Sequence, residues 1–213
     1  RFIREYEATK PQQHLIGMSG APIDNPELLA SPADWISPKG RPWLQDPPAA
    51  DGNKIIVVDT DHGAPFDHPP AWPWYAFTRG QHFLLMDPYM DVRIGAPKQP
   101  VPDWEDARNA MGVIRRLSEE IDLARMTPRP ELASSGFCLA EPGRAYVVFS
   151  PQGHTLHVAV SPGKYRVRWV HPVDGSTRSD SVQEIQGESP LFAPPKVGDL
   201  VLLLSYSGDG LPK

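Results

Sequence analysis

Asp59-Thr60-Asp61-His62 directly follows the apolar run Ile55 to Val58. On an extended segment, carboxylates two positions apart point to the same side, roughly 6 to 7 Å from each other. Breaking a glycosidic bond takes two carboxyl groups on opposite sides of it, about 5 to 5.5 Å apart for retention and about 6.5 to 9.5 Å for inversion. Asp59 and Asp61 are therefore the candidate catalytic residues. Asp61 is the preferred nucleophile or base, because it stands one step further beyond the strand, with Asp59 orienting it or His62. A bland alternative has one aspartate capping the following turn and the other binding His62 or a loop amide. A second constellation, Met86-Asp87-Pro88-Tyr89, offers Tyr89 for stacking on a sugar ring and Asp87 for hydroxyl hydrogen bonds; Asp before Pro also forms turns. His62, Asp87, Tyr89 and two tryptophans from a Trp-rich segment, Trp72 and Trp74, make up the candidate substrate-binding set. Singly, any of those tryptophans serves equally well as core. His62 and His68 lack a third ligand at zinc-like spacing, so no metal and no cofactor are expected.

The elements that must carry these groups alternate. Arg1 to Thr9 reads as the end of a helix stopped by Pro11. The runs His14 to Met18, Lys54 to Val58 and His82 to Met86 read as strands buried on both faces. Ala71 to Arg79, ended by Gly80, reads as a short helix. Asp103 to Arg125 reads as a long one, with Ala107, Ala110, Met111, Ile114, Leu117, Ile121 and Ala124 at helical spacing and Asp103 as N-cap. Helix and strand in alternation imply a parallel sheet with helices outside it. Lys54 to Val58 and His82 to Met86 should then be parallel neighbours. Gly17-Met18-Ser19-Gly20 would let a ligand approach the backbone, or simply form a tight turn.

From about Glu131 the pattern changes to short strands at sandwich-like spacing: Phe137 to Ala140, Ala145 to Ser150, Thr155 to Val160, Lys164 to His171 and Leu200 to Tyr206. Tyr165, Val167 and Trp169 alternate with Arg166, Arg168 and Val170, as in a sheet with one dry face. Trp169 is expected in that core. The fold class is thus α/β plus all-β, divided into residues 1–130 and 131–213.

Bulk properties exclude some partners. The chain has 213 residues, 40% hydrophobic and 22% charged, with a net charge of −5 and its Lys and Arg scattered. That leaves no basic footprint for nucleic acid. No apolar run approaches the roughly 20 residues of a membrane span. Pro is frequent, 26 residues, mostly between the apolar runs, which marks long ordered loops. Cys138 stands alone, so there is no internal disulfide, and oligomeric state stays open. With Arg1 rather than Met at its start, the chain reads as the C-terminal piece of a longer protein. Any leader would lie upstream, and a secreted or periplasmic location stays open beside others.

Arg4-Glu5-Tyr6-Glu7, His14-Leu15-Ile16-Gly17-Met18, Ser31-Pro32-Ala33-Asp34-Trp35-Ile36, Asp59-Thr60-Asp61-His62, Phe77-Thr78-Arg79-Gly80 and Met86-Asp87-Pro88-Tyr89 resemble bacterial glycoside hydrolases with a (β/α)₈ barrel, relatives of the apiosidase-like and cellulase-like enzymes. The tail, with Leu139-Ala140, Tyr146-Val147-Val148, Pro162-Gly163-Lys164-Tyr165 and Trp169, resembles the small β-sandwich often labelled a collagen-binding domain. The resemblance implies that the three strands are the sixth to eighth of the barrel. It gives Asp59 or Asp61 the seventh-strand nucleophile role, although many relatives use Glu there. The fourth-strand acid would lie outside this chain, leaving the chain inactive alone toward a glycan substrate. The other reading is a non-catalytic module, a β-sandwich that binds carbohydrate or collagen or is purely structural.

Overall fold

The computed structural model of the chain describes residues 2–20, 23–60, 69–85, 102–187 and 189–208. It opens on a helix, α1 (Phe2–Glu7), and then repeats strand and helix: β1 (Gly17–Ser19), α2 (Asn25–Ala30), β2 (Trp35–Ser37), α3 (Pro42–Gln45), β3 (Ile55–Asp59), α4 (Trp72–Thr78), β4 (His82–Leu84) and α5 (Pro102–Ser118). The strands lie in chain order, β1-β2-β3-β4, every neighbouring pair parallel. The expected pairing of β3 with β4 is present, with Val57 opposite His82 and Asp59 opposite Leu84. Instead of the three strands expected, four are present, because Trp35–Ser37 joins them. The first strand starts at Gly17 rather than His14, whose backbone N–H and ring nitrogen both face Glu7 Oε2 (3.0 and 3.2 Å).

α5 is shorter than its periodicity predicts. It begins at Pro102, a residue suited to the first turn, and ends at Ser118. Glu119 and Glu120 next place negative charge at the negative end of the helix. Asp122 then accepts from the Ala124 N–H (3.2 Å) and starts a separate 3₁₀ turn.

Beyond it the chain is antiparallel. β5 (Thr127–Pro128), β6 (Cys138–Glu141), β7 (Ala145–Ser150), β9 (Gly163–Val170), β10 (Thr177–Ile185) and β12 (Leu200–Tyr206) form one sheet in the order β10-β9-β12-β7-β6-β5. A two-stranded ribbon of β8 (Leu156–His157) and β11 (Leu191–Phe192) stands apart from it. The sheet therefore starts already at Thr127. The single dry face expected of Tyr165, Val167 and Trp169 holds along β9 up to Arg168, with Lys164 and Arg166 exposed opposite, but at Val170, β7 and β12 both faces are buried. One face buries Tyr146, Val148, Tyr165, Val167, Trp169 and Leu202 with Leu156 and Phe192 of the ribbon. Opposite, Val147, Phe149, Val170, Val201 and Leu203 are buried against α4 and α5. β7 and β12 read as continuous apolar runs for this reason.

α4 connects the two sheets. Residues two apart on a helix project about 200° apart, so Trp72 and Trp74 enter different cores. Trp72 packs with Ile56, Val58, Trp43 and Leu44 on the parallel sheet. Trp74 packs with Phe149, Val113 and Leu203, stacks on Phe149 at 6.4 Å between centroids, and donates its Nε1–H to Pro172 O (2.9 Å). Gly80, at φ +70°, turns the chain out of the helix in the left-handed conformation that glycine adopts freely.

Candidate functional site

Alternation along β3 places Ile55, Val57 and Asp59 on one face and Ile56 and Val58 on the other. Ile56 and Val58 are buried with α2, α3 and α4 residues such as Leu28, Leu44 and Ala76. Asp59 therefore leaves the sheet on the face opposite α2, α3 and α4, at the C-terminal end of its strand, half-buried and in register with Leu84. The same face carries Ile55 and Leu84, 39% and 55% exposed, a degree of exposure unlike a finished core. Asp61, His62, Asp87 and Tyr89 lie outside the described residues, as does His68.

Trp72 and Trp74 are corrected as substrate-binding candidates: both are 0% exposed, so neither indole has a free face for a sugar ring. The i, i+2 spacing on a short apolar helix was the signal for two opposed cores. Trp43 and Trp104 are buried as well. Trp35, by contrast, is half-buried and stands on the same face of the sheet as Ile55 and Asp59. Its indole lies across Gly17, its register partner, where a Cβ would come 1.8 Å from Trp35 Cε2. The room that Gly17 leaves is thus taken by an aromatic ring.

A carboxylate of another kind sits at the opposite end of the sheet. Asp34 precedes β2 and binds Arg4 Nη2 through Oδ1 (2.7 Å), while its Oδ2 accepts the Ile16 N–H (2.8 Å). The Arg4 contact, followed by that amide, holds its carboxyl below the usual aspartate range. At the N-terminal end of barrel-type strands such a group serves stability rather than chemistry. Among the described residues no group of three or more His, Cys, Asp or Glu is placed to hold a metal ion. Likewise, no described helix is long and apolar enough to cross a membrane.

The chain has a glycoside hydrolase-like fold. A family 5 glycoside hydrolase from Bacteroides vulgatus ATCC 8482 superposes with a TM-score of 0.53 at 12% identity, over 81% of this chain and 55% of that one. Another solved structure, a glycoside hydrolase, gives 0.49 at 12% identity over 83% and 58%. The chain thus spans a little over half the length of each. No family model and no curated protein matches it.

Proposed function

We propose that the chain is the C-terminal half of a (β/α)₈ glycosidase with a β-sandwich packed behind it, residues 1–130 belonging to the barrel and 131–213 to the sandwich. In that frame β1 to β4 are the fifth to eighth strands, so β3 keeps the seventh position despite the additional strand. The observation that carries the reading is Asp59: a carboxylate at the C-terminal end of a parallel strand, on the face turned away from the helices, where barrel enzymes keep their catalytic groups. Asp61 acts as nucleophile or base with Asp59 orienting it. His62, Asp87 and Tyr89 contact the glycan, and Trp35 replaces Trp72 and Trp74 as the aromatic near it. The acid of the pair comes from a strand this chain does not contain. Binding by the sandwich's own aromatic row is not favoured, because Tyr165, Val167 and Trp169 are buried at 0%, 2% and 3%.

The test is hydrolysis by a polypeptide that joins this chain to the first four strands of its barrel. Asp59→Asn and Asp61→Asn are compared there. The catalytic one should lose about three powers of ten or more in kcat with KM nearly unchanged. Near-normal turnover by both variants on every glycan cleaved by the parent would remove β3 from the mechanism and move the search to Asp87.

A further inference from the structure

α4 follows β3, and α5 follows β4, so both helices start at the end of the sheet where Asp59 emerges. Between their N-terminal halves and the antiparallel sheet runs a groove of about 590 Å³. α5 contributes Asp106 and Asn109, three apart and therefore on one helix face. The β9–β10 turn contributes His171 and Asp174, the approach to β12 contributes Asp199, and α4 contributes Tyr75. We propose that this groove, framed by α4, α5 and the turns of the antiparallel sheet, is a subsite for a neutral, hydroxyl-rich glycan. The proposal rests on the glycosidase reading.

Its chemistry separates ligand classes. Sugar hydroxyls both donate and accept, and the groove offers both partners: carboxylate oxygens, an amide that does either, and an imidazole. These groups are ordered in advance. Asp199 Oδ1 accepts the Gln152 N–H (2.8 Å), and Asp174 Oδ1 accepts the Ser176 N–H (2.7 Å). His171 turns Nδ1 toward Asp174 (3.3 Å), which leaves Nε2 on the far side of its ring. Among the described lining residues three are aspartates, of which Asp174 is paired with Arg178 (3.3 Å), so an anionic uronate chain would still meet net negative charge. Pro70, Pro172 and Tyr75 supply apolar surface for the C–H faces of the rings. The volume falls within the range of about 300 to 1,000 Å³ usual for small-ligand sites.

The experiment is calorimetric titration of the 213-residue chain with cellohexaose, xylohexaose and mannohexaose, using trigalacturonate as the charged control. At least one neutral hexaose should bind and trigalacturonate should not. The double variant Asp106→Ala/Asn109→Ala should weaken that binding by about tenfold or more at an unchanged melting temperature, while Glu184→Gln, exposed on β10 at the end away from the groove, stays within about twofold. The groove is overturned if no neutral hexaose binds, if trigalacturonate binds as well as they do, or if affinity falls in Asp59→Asn and not in the α5 pair. That last outcome would still support the β3 site. Conversely, groove binding with no hydrolysis by the completed barrel would remove the catalytic reading and leave a sugar-binding surface.

Discussion

Two aspartates of the parallel sheet show how position sets the work of a side chain. Asp59 ends β3 at the C-terminal end of the sheet, and Asp34 is tied to Arg4 and to the Ile16 amide at the other end. Since the folded Asp34 titrates below its usual value near 3.8, its contribution to stability is complete above that value. It is lost as pH falls through the lowered one. The melting-temperature gap between the parent and Asp34→Asn should therefore close between about pH 5 and pH 2; a gap that stayed constant would mean that folding does not lower the Asp34 pKa. Cys138 offers a second check. Burial first, and the nearby Glu131 next, push its thiol up to about 12. It should remain inert to a disulfide reagent near pH 8 until denaturant is added, while fast labelling of the native chain would contradict its burial. The place of Asp59 was legible in the sequence because an apolar run ending in a carboxylate signals a strand end. The destinations of Trp72 and Trp74 were not, since residue type alone does not reveal whether an aromatic faces a ligand or a core.

At the scale of elements, α4 carries the most. Trp74→Ala should cost about 3 to 5 kcal/mol through the cavity it leaves. Trp74→Phe keeps a ring but removes the donor from the buried Pro172 carbonyl, for about 1 to 3 kcal/mol. Denaturant unfolding measures both, and a Phe variant as stable as the parent would show the hydrogen bond to be idle. Trp169→Ala should cost about 3 to 5 kcal/mol as well. The long helix, β3 and most antiparallel strands were readable because their periodicity is carried by buried residues. β2 escaped because three residues hold no period. β10 escaped for the opposite reason: over its nine residues only Ile185 is buried. Its polar sequence is what a sheet edge requires, and Arg166 Nε on β9 holds Asp180 on it (2.9 Å).

On the scale of the whole chain, β7 and β12 of the antiparallel sheet are buried on both faces. Phe149, Val201 and Leu203 pack against α4 and α5. A fragment of residues 127–208 should therefore bind a hydrophobic dye and self-associate, in contrast to the entire chain. A monomeric, dye-free fragment would show that the contact is dispensable. This covering was hidden from the sequence because it depends on which sheet face meets which helix, information carried by no single segment.

The sharing of α4 between two cores has a further consequence. A module on a flexible tether raises the local concentration of its ligand but leaves the spacing to the active centre undefined. Here the helix that follows the Asp59 strand is itself packed on the antiparallel sheet, so the proposed groove would stand at a fixed spacing from the strand end. If the groove is the proposed subsite and Asp59 the proposed centre, a bound glycan would be cut at a set number of sugar units, and the products would have a few discrete lengths in place of a continuous ladder.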